Sequence, residues 1–135
     1  MPIRPLPTAK FHPDDGTLWV DIAYPETQLF CRYLLQLRQV DSNTLVPEYD
    51  SIRGDNENSA DDSYDLPTPS RDNDGRVLMI FHTIMDQTGD GGLYRIRVTV
   101  RQAGKEIWTK TTEETEISGE QDMKQTILKF EIEES

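Results

Sequence analysis

The sequence predicts an all-β chain: a two-sheet antiparallel β-sandwich, immunoglobulin- or fibronectin-like, with a Pro-rich N-terminal arm and a long acidic loop. Three observations carry this reading. Six or seven short segments show strand periodicity, turn-forming clusters separate them at short spacing, and no segment carries a clear helical stripe. The alternative within the same class is an eight-stranded, calcium-dependent sandwich. At 135 residues the chain suits one domain.

Residues 1–15 hold Pro2, Pro5, Pro7 and Pro13. Proline fixes φ and removes a donor, so this stretch reads as an extended arm ahead of a sandwich spanning 16–135. Residues 17–24 alternate, with Leu18, Val20, Ile22 and Tyr24 on one face and Trp19, Asp21 and Ala23 on the other. Period two marks a half-buried strand. Residues 28–40 admit two readings. A helix would stripe Phe30, Tyr33, Leu34 and Leu37. A strand would bury Leu29, Cys31, Tyr33, Leu35 and Leu37 and turn Arg32, Gln36 and Arg38 outward. The strand is preferred, because every other periodic segment is β. Asp41–Thr44 is a turn tetrad, and Leu45-Val46 can return from it.

Residues 50–75 read as a long acidic loop with room for a short strand near Tyr64–Leu66; loops of this length are functional or disordered. Val77–Phe81 is apolar on both faces, which suits a central strand. After the Gln87–Gly92 turn, residues 93–101 alternate strictly, with Tyr94, Ile96, Val98 and Val100 opposite Leu93, Arg95, Arg97, Thr99 and Arg101. Gly104 supplies a turn, and residues 106–116 return to close a hairpin. Residues 123–133 form the last strand.

The formal net charge is -11, from 14 Lys plus Arg against 25 Asp plus Glu. It is segregated: residues 41–75 and 113–135 are acidic, while residues 76–112 are mildly basic. Nucleic-acid affinity comes from basic groups that release counterions, so this balance disfavours a nucleic-acid partner and an anionic membrane surface. No apolar run approaches the roughly 18 residues of a membrane span, and the N-terminus lacks a signal-peptide core. The expected location is the cytoplasm, or outside the cell if a leader has been removed.

Candidate chemistry is sparse. Asp55, Asp61, Asp72, Asp74, Asp86 and Asp90 supply hard oxygens of the kind calcium takes, and loops at one end of a sandwich could gather them. Ser70, Asp72, Asp74 and Gly75 match the start of an EF-hand, but Phe81 stands where the bidentate Glu belongs. The bland alternative is a solvated acidic loop. No other cofactor is expected, since one Cys and two His cannot build a structural zinc site. Cys31 reads as a buried apolar group and His82 as a satisfied core or sheet histidine. No catalytic motif appears, so the chain is not expected to be an enzyme. Trp19 and Trp108 could stack on a glycan if exposed, though large aromatics usually pack.

Arg95, Arg97 and Arg101 form a basic stripe. It either pairs across strands, with Glu131, Glu133 or the 106–116 strand, or docks an acidic partner such as the tail of an identical subunit. The functional expectation is a non-catalytic protein-interaction or assembly module, a subunit or adaptor acting by protein contact or self-association. The alternative is a calcium- or glycan-binding module using loop 50–75 and turn 86–92.

Overall fold

A computed structural model describes residues 6–57 and 62–133. Eleven strands run through them in chain order. They are β1 Thr8–Phe11, β2 Leu18–Ala23, β3 Phe30–Arg38, β4 Ile52–Asp55, β5 Asp62–Asp65, β6 Val77–Met85, β7 Leu93–Tyr94, β8 Arg97–Gln102, β9 Lys105–Thr111, β10 Thr115–Glu116 and β11 Gln121–Ile132. One 3₁₀ turn spans Ser70–Asn73.

The strands form a five-stranded sheet, β1-β11-β6-β3-β4, and a four-stranded sheet, β5-β2-β8-β9, with β10-β7 as a small third pair. Every pairing is antiparallel except β1 with β11. The chain is thus all-β and sandwich-like. One apolar cluster draws Cys31, Leu35, Leu37, Leu78, Ile80 and Leu128 from the first sheet and Leu18, Val20, Ile22, Val98 and Val100 from the second. Alternation is what allows this: on β3 the buried residues are Cys31, Tyr33, Leu35 and Leu37, so the intervening side chains face away from the core.

The strand reading of 28–40 holds, and its return through Leu45-Val46 appears as a bridge from Leu45 to Arg38 with Val46 buried. The 93–116 hairpin also holds. Ala103 and Gly104 both take positive φ at its turn, as a two-residue primed turn requires. A bulge at Val100/Arg101 lets Ile107 and Trp108 both pack toward the core, which strict alternation forbids.

Two expectations need correction. The segment 50–75 is not one loop: it carries β4, β5 and the 3₁₀ turn. Both strands are four residues long and polar, and lie at sheet edges, where little apolar pattern is needed. The stretch 1–15 is an extended arm only in part. From Thr8 it is a strand along β11, with Ala9 and Phe11 buried and Phe11 set edge-on to Phe130 at 6.5 Å. Gln102 then anchors the following turn, donating to the His12 and Gly16 carbonyls and accepting from the His12 N–H. Pro2 and Pro5 lie outside the described residues.

Candidate functional site

The outer face of the five-stranded sheet is unusual for a surface. Strand register aligns its side chains in rows: Gln121–Met85–Phe30, Met123–Thr83–Arg32–Asp55, Gln125–Phe81–Leu34–Arg53, Ile127–Met79–Gln36 and Lys129–Val77–Arg38. Eight of these are large apolar side chains. Met79 is buried, while Met123 is 71% exposed. Val77–Phe81 is apolar on both faces, as read from the sequence, but only its inner face is covered by the second sheet.

Arginines rim this face. Arg32 and Arg53 are exposed, and neither makes an ion pair among the described residues. The Arg38 guanidinium donates to the Met79 sulfur at 3.0 Å, and its Nε is buried without a hydrogen-bond partner. A cation over soft, polarisable groups gains less than one facing a carboxylate. Asp55 is the single acid within these five rows, and its Oδ1 already accepts the Glu57 N–H. The face is therefore apolar and cationic on a chain of net charge -11.

The stripe expected to dock a partner lies on the opposite sheet, and much of it is engaged. Arg101 clamps Asp21 through Nε at 2.5 Å and Nη2 at 3.0 Å, and its guanidinium sits 6.0 Å from the centre of Trp19. Burial pushes the Asp21 carboxyl up, but hydrogen bonds from Arg101 and Ser63 outweigh this and hold it below the usual range. Arg95 reaches Glu26 at 3.4 Å and Glu114 at 3.3 Å. Arg97 lies in register with Ala23 and Thr111. Glu114 belongs to the 106–116 segment anticipated as a pairing partner, whereas Glu131, on β11 of the other sheet, meets Lys10 instead. Trp19, 38% exposed, is the one tryptophan available for stacking, and Arg101 already approaches its ring.

The described candidate calcium ligands do not gather. Asp72 and Asp74 precede β6 and Asp86 follows it, so a nine-residue strand, about 30 Å long, separates the two groups. The Asp74 carboxylate accepts the Ile132 N–H. The Asp86 carboxylate accepts the Gly89 and Gly91 N–H groups, closing its own turn, in which Asp90 donates to Thr88. Asp55 lies on edge strand β4, and Asp61 is outside the described residues. Among the described residues no group of three or more His, Cys, Asp or Glu is placed to hold a metal.

The core side chains of His82 and Tyr33 have their polar atoms satisfied within the fold. His82 is 1% exposed, with Nδ1 at 2.8 Å from the Tyr24 hydroxyl and Nε2 at 2.9 Å from Thr126 Oγ1. Burial pushes its imidazole down to about 4. Burial pushes the Cys31 thiol up to about 12. Tyr33 donates to Asp62 at 2.5 Å and meets the Tyr64 hydroxyl, linking the two sheets, and Gly54 leaves room for its ring.

The sequence reading passes over Arg32, Arg38 and Arg53 as functional residues. The available signal was a strand apolar on both faces beside a strand with outward arginines; missing was the register that brings them together. Comparison with family models, with curated proteins and with solved structures returns no match to this chain.

Proposed function

We propose that this chain is a non-catalytic protein-interaction module, a subunit or adaptor of an assembly. It docks an acidic protein surface bearing large apolar side chains on the outer face of the five-stranded sheet. The observation that carries this is a largely half-buried apolar sheet face, with Met123 exposed, beside Arg32 and Arg53, which close no ion pair among the described residues. Desolvating such a face gains from apolar burial, and an arginine fork supplies directional contacts for incoming carboxylates. The core position of His82, its hydrogen bonds complete, supports the non-catalytic side of the reading.

The proposal takes the immunoglobulin- and fibronectin-like layout for its layering alone. In the immunoglobulin order, two strands of the second sheet fall between the strands that correspond to β3 and β6. Here β8 and β9 come after β6.

A photo-crosslinking residue tests the docking face. Placed at Met123 in cells that make the protein, it is expected to give a discrete protein adduct. The same residue at Thr111, on the other sheet's outer face, should not. Arg32→Glu with Arg53→Glu should abolish the adduct. No adduct from position 123, or equal adducts from both positions, overturns the reading.

A further inference from the structure

We infer that the occupant of this face is a second copy of the chain, seated head to tail through the acidic end that carries Leu93. The inference rests on the docking reading above and names its partner. The chain brings its own complement. Residues 113–120 hold Glu113, Glu114, Glu116 and Glu120 with no base among them. Glu114 reaches Arg95. Glu113, Glu116 and Glu120 are exposed and make no ion pair among the described residues.

An apolar anchor sits within this acidic end. Leu93 is 46% exposed and lies directly opposite Glu116 in the β7–β10 pair. Leu93 and Met123 are thus exposed anchors, the first among carboxylates and the second on the face that carries Arg32, with Thr83 between Met123 and Arg32. An interface needs such a core with a complementary charged rim.

Symmetry then decides the geometry. A two-fold contact would set this face, which holds three arginines and a single acid, against an identical face and so offer the arginines almost no carboxylates. A head-to-tail contact sets arginine against glutamate instead. It leaves one basic and one acidic surface free at the ends, so it forms rings or open chains. Size is of the right order: three long strands with two four-residue edge strands give a flat face of roughly 550 Å², to which side-chain relief adds. A standard interface takes about 800 Å² from each partner.

Sedimentation velocity of the whole chain tests this at about 0.15 M salt. The weight-average mass of the wild type should rise to at least twice the monomer mass between about 1 µM and about 500 µM. Arg32→Glu/Arg53→Glu and Glu113→Lys/Glu116→Lys should each stay monomeric, with circular dichroism confirming that both fold. Mixed in equal amounts, they should associate again, because each retains the surface the other has lost and the two reversed surfaces are complementary in charge. Met123→Asp, at an exposed site, should also stay monomeric and serves if a double variant fails to fold.

A wild type that remains monomeric throughout overturns the inference. So does self-association of the Glu→Lys variant alone, or a mixture that fails to associate. The two readings separate cleanly. A monomeric wild type with a photo-adduct at position 123 to a different protein removes self-docking and keeps the docking face. A monomeric wild type with no adduct removes both.

Discussion

The two outer faces of this molecule use the same residue type to opposite ends. On the four-stranded sheet, Arg101 lies beside a strand that supplies Asp21, and the pair closes bidentately under Trp19. Thr99 and Thr109 bond across the neighbouring pair at 3.0 Å. On the five-stranded sheet, Arg32 lies between Thr83 and Asp55, and Arg53 lies opposite Leu34. Neither arginine closes an ion pair among the described residues. Cross-strand position alone does not decide whether a charge is used: Arg101 reaches Asp21 on the diagonal, whereas Arg32 faces Asp55 and closes no ion pair with it.

The largest expected effect comes from breaking the edge that holds Arg53. A Cβ at Gly54 would overlap the Tyr33 phenol, which is 3% exposed and bonded to Asp62 and Tyr64. Ring and backbone are both fixed, so Gly54→Ala should cost about 3 kcal/mol through overpacking. Urea unfolding would read this as a lower midpoint. A cost under about 1 kcal/mol would mean that β4 is held loosely, and that Arg53 is not positioned by the fold.

A similar magnitude is expected from acid, and it originates beneath both faces. His82 is held near 4 against an ordinary 6.5, so the unfolded chain binds its proton more readily than the folded one. Its contribution is fully present above pH 6.5 and is lost as pH falls toward about 4, reaching about 3 kcal/mol. Asp21 adds a loss of the same sign at lower pH, below its ordinary 3.8. Thermal midpoints across pH 7 to 4 should fall in the wild type, with a shallower slope in His82→Gln. Equal slopes would place the acid sensitivity elsewhere. The neutral substitution leaves the charge at pH 7 unchanged, so the comparison isolates the histidine.

Next comes the satisfied face. Asp21→Ala leaves Arg101 without its clamp and should cost about 1 kcal/mol, the partial exposure of both side chains weakening the pair. The loss should shrink in high salt. No loss would mean that the two outer faces do not differ in how folding uses their arginines.

Much of this architecture is legible in the sequence. Alternation locates β2, β8 and β11, the all-β context decides β3 against a helix, and Gly104 locates the β8–β9 turn. Edge strands are harder: β4 and β5 need only Ile52 and Tyr64 to touch the core, so their polar residues read as loop. β1 hides behind prolines, although Ala9 and Phe11 have the spacing of one buried face. The site was half legible. Outward arginines on 28–40 and two-faced apolarity on 77–81 are sequence facts. That β3 and β6 lie side by side, Leu34 against Phe81, is a long-range pairing that no local pattern encodes. The clean alternation of 93–101 drew attention to Arg95 and Arg101, whose acids arrive from Glu26, Glu114 and Asp21. The calcium expectation needed loops at one end of the sandwich to bring Asp72 and Asp74 to Asp86 and Asp90, and the length of β6 sets these pairs apart.

The smallest stability effect should fall on the presented face, and its smallness is the point. Arg32→Ala and Arg53→Ala remove exposed charges with no ion-pair partner among the described residues, so each should shift stability by less than about 0.5 kcal/mol. Removing Arg101 with its clamp should cost more, although it is also an arginine on a strand face. A surface group that folding does not use, but a partner does, shows the reverse pattern: little change in thermal midpoint and a large change in association. Measured side by side, Arg32→Ala and Arg53→Ala should weaken adduct formation at position 123 while leaving the midpoint within a few degrees. If they lower the midpoint as far as Asp21→Ala does, these arginines are structural after all, and the five-stranded face loses its claim to be a docking surface.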